Sequence, residues 1–215
     1  AIAAGWILAT LAPGIEGPAL YGLGGETLRL GTLGIGIGGT VLLAVINYRG
    51  IRSSAKLQDV LTYGLILVSL TFIAVGIVGG DASNLQPLFQ RSSGSIWPGV
   101  VAVLATTPFW FGGFNTIPQL LEEKASGTTL RSVGNVMLLS IWGAGAFYCL
   151  VILSASMAAP WGETVRMDLP AAGAFRAAFG AAMANLVLVA ALLGIVTTWN
   201  VVFVAASRVL FALGR

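Results

Sequence analysis

An all-α, polytopic membrane helix bundle is the fold class this sequence predicts, and three observations predict it. Of 215 residues, 57% are hydrophobic and 9% charged, against roughly 25% charged in soluble domains, and the mean hydropathy is +0.91. The charges leave five uncharged segments, 30 to 48, 60 to 80, 92 to 121, 132 to 162 and 177 to 207, each near or above the about 20 helical residues that cross a hydrocarbon core. The third carries Pro108-Phe-Trp-Phe-Gly-Gly-Phe-Asn115-Thr-Ile-Pro118 at its centre, an apolar span that interrupts itself. The solvent is therefore a lipid bilayer. Its 11 basic residues give a net charge of +3 but are spread too thinly to form a patch, so nucleic acid is excluded as a partner.

Taken in order, Ala1 to Ala12 is apolar but too short to span, and it lacks the basic flank of a signal peptide. It reads as the partial last part of a helix. Spans are then expected at 28–48, 57–80, 98–123 (broken near 112–115), 130–157 and 180–213. The first of these is studded by Gly31, Gly34, Gly36, Gly38 and Gly39, and Gly34 with Gly38 makes a small-xxx-small pair that lets helices approach closely. Cys149 lies mid-span, where a buried thiol is expected. Arg208 and Arg215 close the last helix at a membrane face, so the chain reads as an internal fragment. Alternating the sides puts Arg49, Arg52, Lys56, Lys124, Arg131, Arg208 and Arg215 on one face and Arg29, Arg91, Arg166 and Arg176 on the other. The richer face is read as cytoplasmic. The connections 47–59 and 122–131 are then inside, and 13–29, 81–97 and 158–176 outside. Asp168 to Phe179 is expected as a short surface helix over the outer mouth, with Asp168 as its cap and Pro170 in its first turn.

Chemistry gathers at the interrupted span. Glycine pairs favour non-helical backbone, and Pro118 removes a donor and turns Ile117 away from helix. A helix broken at Gly112-Gly113 ends in free carbonyls that attract a cation such as an ammonium, and restarts with free N–H groups that attract an anion. Phe109, Trp110, Phe111 and Phe114 would cover a solute or face its ammonium; the alternative is a kinked helix packed on its neighbours. Glu122 and Glu123 follow, about 100° apart on a helix, so they do not share a site. They read as a cytoplasmic helix end with gating ion pairs, or as solvated. Thr197-Thr198-Trp199-Asn200 is a polar cluster in the last span that either bonds neighbouring helices or lines the solute path. With no histidine and one cysteine, catalytic zinc sites, Ser-His triads and Cys-His dyads are excluded. The chain is read as a non-enzyme with no metal site and no cofactor.

Three stretches, Asn47-Tyr-Arg-Gly-Ile-Arg-Ser-Ser-Ala-Lys-Leu-Gln58, Phe111-Gly-Gly-Phe-Asn-Thr-Ile-Pro-Gln-Leu-Leu-Glu-Glu123, and Thr197-Thr-Trp-Asn200 with Ala206-Ser-Arg-Val-Leu-Phe-Ala-Leu-Gly-Arg215, resemble the bacterial amino acid permeases of the amino acid, polyamine and organocation superfamily. The resemblance implies a five-plus-five inverted-repeat transporter fold, of which this chain would hold the end of helix 3 through helix 8. Helices 1 and 2 and those after helix 8 would be missing partners. It places Phe109, Phe111, Gly112, Gly113 and Asn115 on the broken helix 6 that binds solute, and Trp199 on helix 8 where some relatives carry a gating tryptophan. Trp110, Thr198, Asn200, Glu122 and Glu123 are pathway or gating candidates. Asn115 stands where many relatives carry a carboxylate, and an amide carries no proton; Thr62-Tyr-Gly-Leu-Ile lacks the lysine of some proton-linked relatives.

The expectation is a secondary active transporter for an amino acid or related small amine in a bacterial inner membrane, with H+ or Na+ coupling left open. The rival is a channel-like or sensing membrane protein of the same fold.

Overall fold

The computed structural model describes residues 2–23, 26–89, 94–113, 127 and 129–214. Apolar runs in lipid satisfy their backbone groups only within a helix or a closed barrel, and here they form helices. In chain order these are α1 (Ile2–Leu11), α2 (Leu30–Tyr48), α3 (Ile51–Gly79), α4 (Trp97–Trp110), α5 (Leu130–Ala158), α6 (Trp161–Thr164), α7 (Pro170–Phe179) and α8 (Ala181–Leu213). Four of them, α2, α3 from Arg52 onward, α5 and α8, are long and apolar enough to cross a membrane. The fold is an all-α polytopic membrane fold, with one small antiparallel hairpin, β1 (Ala19–Leu23) and β2 (Glu26–Arg29).

That hairpin occupies the 13–29 connection, which the charge pattern alone leaves without structure. Outside hydrocarbon the connection still has backbone groups to pair. Two β-capable runs separated in sequence by Gly24-Gly25 pair Tyr21 with Leu28 and Gly22 with Thr27. The chain is tied to the start of α2 by Gly31 N donating to the Glu16 carbonyl at 2.9 Å and by an Arg29–Glu16 ion pair at 3.2 Å. A Cβ on Gly31 would collide with the Ile15 carbonyl, so only glycine fits there.

The core lies between α3, α5, α7 and α8, with Ile7 of α1 added. Phe72, Ile73, Ala158, Ala172, Ala174, Phe175, Val187, Leu188 and Ala190 are buried together. Phe175 has no exposed surface and meets the Phe72 ring edge-on at 5.5 Å. A Cβ on Gly76 would lie 2.8 Å from both Phe175 Cζ and the Ser154 carbonyl, so this glycine sets how closely α3, α5 and α7 approach. The end of α3 is pinned to α5: Asp81 N and Asn84 Nδ2 each donate to the Met157 carbonyl at 2.9 Å. Ser54 bonds Asn200 and Gly64 faces Leu193, so α3 and α8 run antiparallel.

Several sequence expectations need correction. The 47–59 segment is not a loop: α3 begins at Ile51, six residues before the expected 57, because helical winding continues through the polar turns that precede the apolar run. Only Arg49 and Gly50 separate it from α2, and Gly50 turns at φ +112°. The 168–179 segment is not a surface helix. α7 starts at Pro170, Leu169 rather than Asp168 is its N-cap, and its Ala172, Ala174 and Phe175 are core residues. Gly34 and Gly38 have open space where a Cβ would stand, and the close contacts of α2 are at Gly31 and Gly39. Cys149 is exposed on α5, because it falls outside the stripe that packs on α3 and α7.

Candidate functional site

α4 is 14 residues long, about 21 Å at 1.5 Å per residue, and so shorter than a bilayer core. Its helical bonding stops where the glycines begin. Phe111 N still reaches the Thr107 carbonyl at 3.2 Å, but Gly112 N bonds Phe109, three residues back, at 3.3 Å. Gly113 then adopts φ +120°, backbone that a residue with a Cβ rarely accepts. Pro108 sits in the last turn of α4 without an N–H to give.

The helix end is held by α5. Tyr148 donates its hydroxyl to the Trp110 carbonyl at 2.9 Å, giving one of the terminal carbonyls a partner. The Phe111 ring meets Tyr148 edge-on at 5.7 Å and lies against Gly145, where a Cβ would be 3.5 Å from its Cζ. Between the two helices opens a cleft of about 240 Å³ lined by Trp110, Phe111, Gly112, Gly113, Ser140, Ile141, Ala144 and Tyr148. Among the described residues, no lining side chain carries a formal charge.

Of the candidate residues, the structure therefore brings Trp110, Phe111, Gly112 and Gly113 to one cleft. Phe109 is 86% exposed and points away, edge-on to Trp110. Asn115, Glu122 and Glu123 lie outside the described residues. Tyr148 and its α5 neighbours escaped the sequence reading, although a tyrosine deep in an apolar span needs a partner for its hydroxyl and is a signal for that reason.

The 197–200 cluster goes elsewhere. Trp199 packs its indole on α2, where a Cβ on Gly39 would stand 2.6 Å from the ring. Thr198 is exposed, and Thr197 donates to Gly194 of its own helix at 2.8 Å. Asn200, 2% exposed, is the centre of a buried polar hub. Its Oδ1 accepts from Asn47 Nδ2 at 3.0 Å and from Ser54 Oγ at 3.2 Å, and its Nδ2 donates to Gln58 Oε1 at 3.1 Å. Asn47 Nδ2 also donates to the Leu43 carbonyl at 2.8 Å. The hub joins α2, α3 and α8, and it unites residues from two of the sequence motifs that lie about 150 positions apart. No three histidine, cysteine or carboxylate side chains converge on a metal position among the described residues.

The comparisons with known proteins bear on the whole chain. The profile of the family described as amino acid permease matches residues 1–215. The branched-chain amino acid permease BcaP of Bacillus subtilis is 26% identical over 168 residues, 78% of this chain and 35% of the relative. The methylthioribose transporter of the same organism is 26% identical over 81% of this chain and 36% of its own length. The chloroplastic cationic amino acid transporter 9 of Arabidopsis thaliana is 26% identical over 97% of this chain and 36% of its own. The chain spans about a third of the length of the curated relatives it matches. With four membrane-length apolar helices among the described residues and a family match along its full extent, it is an integral membrane protein that belongs to the amino acid permease family.

Proposed function

We propose that the intact protein is a secondary active transporter that moves an amino acid or related small amine by alternating access, one bundle rocking against another about a midplane site. The observation that carries this reading is the end of α4 at Trp110, followed by the Gly112-Gly113 turn beside a cleft. A helix C-terminus carries roughly half a negative charge in its unpaired carbonyls, so the α4 end suits the ammonium group of a solute. In this reading Phe111 and Trp110 shape and cover the pocket, Phe109 joins them on closure, and Asn115 orients a polar group of the solute. Trp199, with Thr198, Asn200, Glu122 and Glu123, belongs to the inward route and its gating. The membrane is a bacterial inner membrane, and coupling is to H+ or Na+. The relatives, named for branched-chain amino acids, methylthioribose and cationic amino acids, support small polar solutes as a class.

The test is reconstitution of the intact protein in proteoliposomes, with labelled amino acids and amines supplied under an imposed proton or sodium gradient. Accumulation above equilibrium is expected for at least one of them. Failure of every amino acid and amine to enter overturns the reading; equilibration without accumulation under either gradient replaces it with a channel-like protein.

A further inference from the structure

The first turns of α3 have two unlike faces. Ser54 and Gln58 point into the bundle, where both hydrogen-bond Asn200. The opposite face carries Arg52, Lys56, Val60, Tyr63 and Leu67, three or four residues apart and so stacked along one side of the helix. Arg52 and Lys56 are exposed, as is Arg49 just before the Gly50 turn, and Val60, Tyr63 and Leu67 are each at least 70% exposed. None of the three cations is in an ion pair among the described residues. Asp59 shares the face, is exposed, and pairs with none of them. Arg131 and Arg208 lie at the same end of the bundle, so the described residues place five cations and one carboxylate there, against three cations and five carboxylates at the other end. Anions are drawn to the richer end. From Lys56 to Leu67 is about 16 Å along the helix axis, close to half of an about 30 Å hydrocarbon core. The apolar part of the stripe is therefore one leaflet deep beneath its cations. Tyr63 stands partway down, about 10 Å from Lys56, and its hydroxyl makes no hydrogen bond among the described residues. Helical side chains lean toward the N-terminus, here the end with the cations, so the phenol reaches from the acyl region toward the headgroups.

We propose that this face of α3 is a binding site for an anionic phospholipid. The phosphate sits between Arg52 and Lys56 with Arg49 beside it, Tyr63 donates its hydroxyl to a glycerol ester carbonyl, and one acyl chain lies along Val60 and Leu67. Charge complementarity selects this occupant. A further helix of the intact protein laid on the stripe would take Arg52 and Lys56 out of water, which is costly unless carboxylates meet them. A phosphate neutralises both and leaves them at the water boundary. Asp59 repels the phosphate from the stretch below Lys56 and so fixes its level. The inference needs only that the chain spans a membrane, and it stands apart from the transport reading.

The experiment titrates phosphatidylglycerol onto the intact protein in detergent and counts bound lipid by native mass spectrometry. Wild type is expected to hold one phosphatidylglycerol more tightly than phosphatidylcholine, and a tenfold excess of inorganic phosphate to leave it bound. Each basic residue near an anionic group contributes about fivefold, so Arg52→Gln with Lys56→Gln is expected to weaken that site at least tenfold. Tyr63→Phe is expected to weaken it about threefold, the loss of one hydrogen bond. Arg131→Gln, at the same membrane face but off the stripe, is expected to stay within twofold of wild type. Phosphatidylglycerol with a photoreactive acyl chain is expected to label the segment 60–67 of wild type. Equal binding of the two lipids overturns the proposal, as does a double variant within twofold of wild type. A loss in Arg131→Gln as large as in the double variant shows diffuse attraction and overturns it too. Displacement by inorganic phosphate makes the site a free-anion site instead of a lipid site. Label that never falls on 60–67 shows the stripe covered by the protein itself, and the lipid reading is then wrong whether or not the variants fold.

Discussion

Removing Asn200 is the sharpest test of how the helices are held together. Its side chain makes three interhelical hydrogen bonds, to Asn47, Ser54 and Gln58. Interhelical side-chain bonds in membranes average about 0.6 kcal/mol and reach about 1.7, so the three together are worth about 2 kcal/mol. Asn47 keeps its bond to the Leu43 carbonyl and loses least, whereas Ser54, 2% exposed, is left with a buried hydroxyl and no partner in the hub. Asn200→Leu keeps the branched four-atom shape of the side chain and removes its polar partners without opening a cavity. The expected outcome is a loss of about 2 kcal/mol, near a thirtyfold change in the unfolding constant, measured by detergent-driven unfolding of the intact protein in mixed micelles. A cycle with Gln58→Leu should give a coupling of about 0.6 kcal/mol. A loss below about 0.5 kcal/mol, or strict additivity in the cycle, would refute the idea that this hub fixes α2, α3 and α8.

Three further outcomes are expected. Tyr148→Phe deletes the bond to the Trp110 carbonyl, about 1 kcal/mol, and should raise the KM for solute about fivefold; an unchanged KM in proteoliposome uptake would show that holding the α4 end does not matter to the solute. Gly39→Ala drives a Cβ to 2.6 Å from the Trp199 ring and should destabilise by about 1–3 kcal/mol, a loss relieved in the double variant with Trp199→Phe and read by the same unfolding assay. Asp81 is held below its ordinary carboxylate range, first by the Ser83 backbone N–H at 2.8 Å and then by the Ser83 side chain. A lowered folded-state value means that this cap stabilises above the unfolded carboxylate value, near 3.8, and fades as pH falls through the folded one. The stability difference between wild type and Asp81→Asn should therefore be constant at neutral pH and vanish in strong acid.

The class of fold was legible because lipid leaves so few solutions: long uncharged runs bounded by Arg29 and Arg49, or by Arg176 and Arg208, have to form helices or a closed barrel, and they are far longer than the about 9–11 residues of a barrel strand. Membership of the permease family was legible from motif strings as well. What escaped was set by tertiary contact. α7 carries Asp168 before it and Arg176 within it and looks like a surface element, yet Phe175 sits at the centre of the core, which no local pattern of 10 residues announces. Gly34 and Gly38 have the spacing of a packing motif, but which face of α2 meets a neighbour depends on where Trp199 lands. At the site, the aromatic and glycine string gave the α4 side of the cleft. The α5 side was missed because Ser140 and Ala144 are ordinary residues whose relevance appears only once Tyr148 has reached across to Trp110. Asn200 was assigned to either packing or the solute path, and the hub with Asn47 resolves its contacts, not its part in transport.

The two ends of α3 differ in what packs against the helix itself. Gly76 is locked among Phe175 and Ser154, while Ser54, 22 residues and about 33 Å away, is joined through amides and hydroxyls. Interlocked rings and methyls separate only all at once, because a partial gap forfeits contact without admitting a substitute. Directional polar links yield one by one, each exchanged for a water molecule as it lets go. Packed rings, backed by the Asp81 and Asn84 bonds to Met157, thus close one end of the rod, and exchangeable amide and hydroxyl links close the other.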